Sequence, residues 1–236
     1  MQTPDPNLVK RLAGKFIVFD GPEGCGKSTQ CRLLGEALST AGLDVVYGKD
    51  PGGTEIGDRI RHVVLGYNLS TMDPRCETFL FMASRAQLVG EVIEPALKVK
   101  RVVICDRFVS ATCAYQGAAG YAIPRIIELA HYAIGDTWPD LTLVLDIDVE
   151  KGFQRTGRKR HHVGKHHRKH AGQQTLFDDA QPDAMEARPI AFHRRVRENF
   201  LKLPDFYPRP VRIVPADDEI ERVQAAVWEV LHGIDF

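Results

Sequence analysis

Residues 16–29 read FIVFDGPEGCGKST, and no other stretch constrains the chain as tightly. An apolar run ends in Asp20, and a glycine-rich loop follows from Gly21 to Gly26. Lys27, Ser28 and Thr29 then open a helix. This is the pattern G-x-x-x-x-G-K-[ST] in its required setting of strand, loop and helix. Such a loop, here Gly21, Pro22, Glu23, Gly24, Cys25 and Gly26, offers backbone N–H groups and the positive end of a helix dipole to phosphate oxygens. Lys27 is placed to reach the β- and γ-phosphates of a bound nucleotide, and the Ser28 hydroxyl is placed to ligate Mg²⁺.

The remaining composition sets bounds. A chain of 236 residues suits one α/β domain spanning 1–236. Zero formal net charge calls for neither nucleic acid nor an anionic membrane as partner. No apolar run approaches the roughly 18 residues that a membrane span needs. The polar start, Met1 to Pro6, reads as a frayed lead-in rather than a signal peptide, and residues 1–13 as a flexible approach to the first strand. The five cysteines are odd in number and lack C-x-x-C spacing, which fits free thiols in a reducing cytoplasm. Cys25 reads as a small filler within the phosphate loop.

Strand and helix signals alternate. Strands are expected at Phe16–Phe19, Val45–Tyr47, Val102–Cys105, Leu141–Ile147 and Val211–Val214. Helices are expected from Lys27 to Gly42, across Ile56–Val64, from an Asp73 cap to about Lys98 with a bend near Pro95, across Pro124–Ile134, and across Glu219–Leu231. Strands this apolar are buried on both faces. The pattern therefore predicts an α/β, P-loop NTPase fold: a central, mostly parallel five-stranded sheet with helices on both faces and nucleotide at the carboxyl ends of the strands.

One segment breaks the alternation. Between residues 155 and 183 the chain is crowded with Arg, Lys and His, including Arg155, Arg158 and Arg160, and an acidic, proline-containing stretch closes it. It reads as a mobile basic lid, an insertion over 153–187. Five histidines between 161 and 170 raise a metal site as an alternative, but no surrounding Cys or strand context fixes one.

Asp106-Arg107 closes another apolar strand. A strand-end Asp facing a phosphate loop is suited to holding Mg²⁺, directly or through water, and Arg107 is suited to a bidentate grip on phosphate. Taken in order, GPEGCGKST, then Asp50-Pro51-Gly52-Gly53-Thr54, Ser84-Arg85-Ala86-Gln87, and Asp106-Arg107 followed by Ala114-Tyr115-Gln116-Gly117 resemble the thymidylate kinase family over about residues 14–232. The resemblance implies transfer of the γ-phosphoryl group of ATP to dTMP, giving dTDP and ADP for dTTP synthesis, with Mg²⁺, in a homodimer. It implies that Glu23 meets the deoxyribose 3′-hydroxyl and that Arg107 and Arg61 hold the dTMP phosphate. Phe81 would stack on thymine, Arg85 would bond its O4 edge, and Thr112 and Gln116 would lie at the base. Tyr115 would sense the missing 2′-hydroxyl. One branch of the family carries a catalytic arginine in the phosphate loop. This loop has none, so the resemblance assigns that cation to the lid, where Arg155, Arg158 and Arg160 are candidates and Arg158 is taken as the catalytic one. Two departures stand out: the lid is longer than the family pattern, and its distal end reads Asp183-Ala184-Met185-Glu186 where the family has Asp-Arg-x-Glu. Alternatives are a kinase for another nucleotide or a deoxynucleoside, and a nucleotide-binding homologue with little turnover.

Overall fold

The computed structural model describes residues 5–66, 72–157, 185 and 188–236. In chain order these form α1 (Pro6–Leu12), β1 (Phe16–Asp20), α2 (Lys27–Thr40), β2 (Val45–Lys49), α3 (Glu55–Gly66) and α4 (Pro74–Leu88). A π-helical turn (Val89–Ile93) leads to α5 (Glu94–Lys98), β3 (Val102–Asp106), α6 (Val109–Ala118), α7 (Ile123–Ile134) and β4 (Leu141–Asp146). The chain continues through α8 (Val149–Arg155), α9 (Ile190–Phe206), β5 (Val211–Pro215) and α10 (Ile220–Gly233).

The sheet runs β2-β3-β1-β4-β5, and every strand pair in it is parallel. Alternation along β1 divides the core. Phe16 and Val18 face a cluster that includes residues of α4, α6, α7 and α9, whereas Ile17 and Phe19 face a cluster built with α1, α2 and α10. Because both faces are covered, the central strands β1, β3 and β4 are buried almost throughout.

Two local expectations are corrected. Residues 6–12, read from sequence as part of a flexible lead-in, form α1, whose Leu8 and Leu12 are buried with Trp228 and Leu231 of α10. Asp5 caps the helix by accepting from the Asn7 amide, and Pro6 opens it. Seven residues with two anchoring leucines are too few to declare a helical period. The helix expected from Asp73 to Lys98 is also not one α-helix. Pro95 has no N–H and its ring crowds the preceding turn, so the backbone widens into the π turn just before it.

The register brings three strand ends together. Phe19 lies beside Asp106, Lys49 lies beside Asp106 on the other side, and Asp20 lies beside Val144. The loops leaving β1, β2 and β3 thus open into one space at the carboxyl edge of the sheet. The 158–184 part of the basic segment lies outside the described residues, and with it Arg158, the histidines from 161 to 170, Asp183 and Ala184. Glu186 lies outside them as well, while Met185 and Arg188 are described.

Candidate active site

The loop after β1 can close tightly only because it is glycine-rich. Gly24 has φ +71°, and a Cβ there would sit 2.1 Å from the Gly152 carbonyl oxygen of α8. Gly21 has φ +135°, and a Cβ there would meet the Leu145 carbonyl at 2.4 Å. The loop delivers Lys27 to the first position of α2, buried, with its ammonium donating to the carbonyls of Pro22 (2.9 Å) and Gly21 (3.3 Å). The Cys25 Sγ lies 3.5 Å from the same ammonium. Glu23 and Thr29 are half-buried, and Ser28 is exposed.

The Ser28 hydroxyl donates to Asp106 Oδ2 at 2.8 Å, which joins the loop to the end of β3. A hydroxyl and a carboxylate are hard oxygen donors of the kind that suit Mg²⁺, which keeps several waters and takes few protein ligands. The donor set fits the ion.

Next to Asp106, Arg107 takes the left-handed backbone conformation at φ +71°, which costs about 1–2 kcal/mol for a residue with a Cβ. Its amide donates to the Phe19 carbonyl at 3.0 Å, and the turn swings its side chain toward the phosphate loop. Arg107 Nη1 donates to Asp20 Oδ1 and to the Gly21 carbonyl, both at 3.3 Å. Its guanidinium carbon lies 5.1 Å from the centre of the Tyr115 ring, a cation–π distance. Asp20 is fully buried and also accepts from the Ser110 hydroxyl at 2.6 Å and from the Gly21 amide at 2.9 Å. Burial pushes the Asp20 carboxyl above its ordinary range, although Arg107 and Ser110 pull it down.

Beside Arg107 a cleft enclosing about 620 Å³ of empty space, the open solvent at its mouth included, separates α3, α4 and α6. The structure brings Glu23, Arg61, Phe81 and Arg85 to its wall together with Arg107, Thr112, Tyr115 and Gln116. Helical geometry explains the grouping. Glu77, Phe81 and Arg85 are spaced by four along α4, and Thr112, Tyr115 and Gln116 by three and four along α6, so each set shares one face. Arg61 donates to the Pro51 carbonyl at 3.0 Å, which ties α3 to the loop after β2.

Arg85 is the most heavily held side chain at the cleft. It is 1% exposed and donates to Asp50 Oδ2 (2.6 Å), Thr112 Oγ1 (2.9 Å) and the Phe108 carbonyl (3.2 Å). Burial pushes the Asp50 carboxyl up, against the pull of Arg85. Gln116 is tied to Glu77, and Glu77 to Arg188, each at 3.0 Å.

The sequence reading missed Asp20, Asp50, Glu77, Met185 and His193 as site residues. The last two line the cleft from the segment approaching α9 and from α9 itself. The signal for the first three was present: a carboxylate closing an apolar strand, or sitting on an otherwise buried helical stripe, is out of place unless something pairs with it. His193 carried no such signal, because the 190–206 region had not been read as a helix.

Strand, glycine loop and helix at the edge of a five-stranded parallel sheet define a P-loop NTPase, and the adjoining cleft gives it room for a second substrate. Comparison with known proteins narrows the class. The family model for thymidylate kinase matches residues 19–227. A thymidylate kinase of Herpetosiphon aurantiacus is 40% identical over 212 residues, covering 87% of this chain and 90% of that protein. One from Bacillus velezensis is 34% identical over 94% of this chain and 96% of its own. The crystal structure of thymidylate kinase from Ehrlichia chaffeensis superposes with a TM-score of 0.68 at 29% identity, covering 93% of this chain and 99% of that one. The chain belongs to the thymidylate kinase family.

Proposed function

We propose that the phosphate loop and the cleft are the donor and acceptor halves of one phosphoryl-transfer site. The activity is that of the family: ATP-dependent phosphorylation of dTMP to dTDP. The bond between the γ-phosphorus and its bridging oxygen to the β-phosphate breaks. A bond from a dTMP phosphate oxygen to the γ-phosphorus forms, and ADP leaves.

The roles follow from charge and reach. Gly21–Thr29 cradle the triphosphate, and Lys27 meets the charge that develops on the transferring group. Arg107, reaching back across the loop toward Asp20, holds the acceptor phosphate, with Arg61 on its other side. Phe81 supplies a face for thymine, and stacking of this kind contributes about 1–3 kcal/mol per base. Arg85 donates to O4 of the base, Thr112 and Gln116 line its edge, and Glu23 and Tyr115 meet the sugar. Ser28 and Asp106 would hold Mg²⁺, which neutralises phosphate charge when bound. The catalytic cation of the lid is assigned to Arg158. The observation that carries the whole reading is the contiguity of the Ser28–Asp106 bond, Arg107 and the cleft along adjacent strand ends.

The domain is read as a single unit over 1–236, with the lid insertion at 153–187. A homodimer is assigned to the face formed by α3 and α4, which leaves Ile56, Val63 and Phe79 about half exposed. Free cysteines point to a reducing cytoplasm. Among the described residues no helix is long and apolar enough to cross a membrane. The test is a panel of nucleoside monophosphates with Mg-ATP, scored for ADP release. dTMP is expected to exceed every ribonucleotide and every other base. Equal turnover of dCMP or of UMP would defeat the assignment of the cleft.

A further inference from the structure

We propose that Glu77 is a positioning residue that sets which end of the Gln116 amide faces the cleft, and thereby selects a pyrimidine carrying a proton on N3. The inference rests on reading the cleft as the base site.

Glu77 sits in the first turn of α4 and is 1% exposed. Both its oxygens are engaged. Oε1 accepts from Arg188 Nη2 and Oε2 accepts from Gln116 Nε2, each at 3.0 Å. Arg188 is itself anchored, with its guanidinium carbon 4.6 Å from the centre of the Phe192 ring. With Oε1 accepting from the Arg188 guanidinium, the Glu77 carboxylate turns its other oxygen, an acceptor, toward Gln116. The amide beside it must therefore present its NH₂ group, because a carbonyl turned that way would meet an acceptor. The two orientations of a glutamine amide differ by a half-turn about its last torsion and offer opposite chemistry. With NH₂ committed to Glu77, the Gln116 carbonyl is what remains for the cleft that Gln116 borders.

Arg85 on the same wall has donors only, and its place is fixed by Asp50 and Thr112. The wall thus offers a donor from Arg85 next to an acceptor from Gln116. Thymine and uracil present the complement, an accepting O4 and a donating N3–H. Cytosine presents a donating 4-amino group and an accepting N3, so both contacts fail. A polar site of this kind rejects the wrong pattern because its own buried groups are left unpaired.

The experiment compares dTMP with 5-methyl-2′-deoxycytidine monophosphate, which differs only in the 4-substituent and N3. In Glu77→Gln, residue 77 accepts from Arg188 with its carbonyl and turns NH₂ toward Gln116. Gln116 then turns its own NH₂ to the cleft. The ratio of kcat/KM for dTMP over the cytosine analogue should fall about 2- to 12-fold, the effect of one net hydrogen bond. The KM for ATP should hold. A purely structural role would lower both substrates alike, and equal loss overturns the proposal. The double variant Glu77→Gln, Gln116→Glu restores an obligate acceptor to the cleft and should recover the ratio; failure to recover it is a second refutation, and it covers the case of a poorly folded single variant. Gln116→Leu separates the two levels. An unchanged dTMP KM there removes the base-site reading itself, whereas a raised KM with an unchanged ratio in Glu77→Gln removes only the role of Glu77.

Discussion

Lys27 in the phosphate loop and Arg85 in the cleft are both buried cations, yet they are held by opposite kinds of partner. The Lys27 ammonium is held by two backbone carbonyls and lies near a thiol, and no carboxylate among the described residues lies within bonding distance. Arg85 is locked to Asp50 at 2.6 Å, with a hydroxyl and a carbonyl completing its shell. A cation held by carbonyls rather than by a bonded carboxylate suits an anion, and the triphosphate is the one proposed for it. A cation already neutralised offers directed N–H donors without net charge, which suits a neutral base. Arg107 stands between the two cases: it shares Asp20 at 3.3 Å and remains 24% exposed. On the proposed reading, phosphate binding and base reading would use the same side-chain chemistry, sorted by where the carboxylates are.

The largest break of this comparison is Lys27→Ala. It should lower kcat by about 10³–10⁵-fold, the range a cation at the transferring group contributes in such reactions. The dTMP KM should change little, and the loss of stability in urea should stay below that of a broken buried ion pair, because what is removed is two hydrogen bonds to loop carbonyls rather than a charge pair. A variant that kept a tenth of wild-type turnover would show that Lys27 is not the cation that matters.

Asp50→Asn tests the other side. It preserves shape but leaves Arg85 charged and buried without its partner. Breaking a buried pair in this way costs about 3–5 kcal/mol, read from the urea midpoint at constant slope. A loss below about 1 kcal/mol would mean that Arg85 finds solvent or another anion, and the contrast with Lys27 would fail. Arg107→Ala should fall in between. Losing charge-assisted contacts to a phosphate raises the dTMP KM about 10–100-fold, with the ATP KM nearly constant. An unchanged dTMP KM would move Arg107 out of the acceptor half.

The same contrast explains what could be read from sequence. The phosphate loop is contiguous, because a single turn of backbone does the binding, so Gly21 to Thr29 were legible as one motif. The sheet was legible because strands covered on both faces must be apolar throughout, as β1, β3 and β4 are. The cleft is assembled from α3, α4, α6 and the approach to α9, and its residues were found only through family motifs. Its supporting carboxylates escaped notice because their partners lie far along the chain: Asp50 is 35 residues from Arg85, Glu77 is 39 from Gln116, and Asp20 is 87 from Arg107. Local pattern cannot encode such pairs. It can only flag that an acidic residue on a buried face needs one. Helix α1 escaped for a different reason, since two leucines in seven residues define no period.

The smallest effect concerns thiols, which sample the two regions without altering either. Cys25 lies in the phosphate loop, Cys113 on α6 beneath the cleft, and both are buried, as are Cys31 and Cys105; only Cys76 is exposed. Burial pushes the Cys113 thiol up to about 12 and raises Cys31 and Cys105 well above their ordinary range, so these three stay protonated and unreactive at pH 8. A chromogenic disulfide reagent should therefore show one fast thiol in the native protein, lost in Cys76→Ser, and four more after unfolding. Cys25 is the informative one of the four. It is sealed by a loop rather than by a helical layer, so its slow phase should quicken before that of Cys113 in mild urea, since loops open locally at lower free energy than the core. If Cys25 and Cys113 instead became reactive together, the loop and the cleft would unfold as one unit, and the division drawn between them would hold for charge but not for stability.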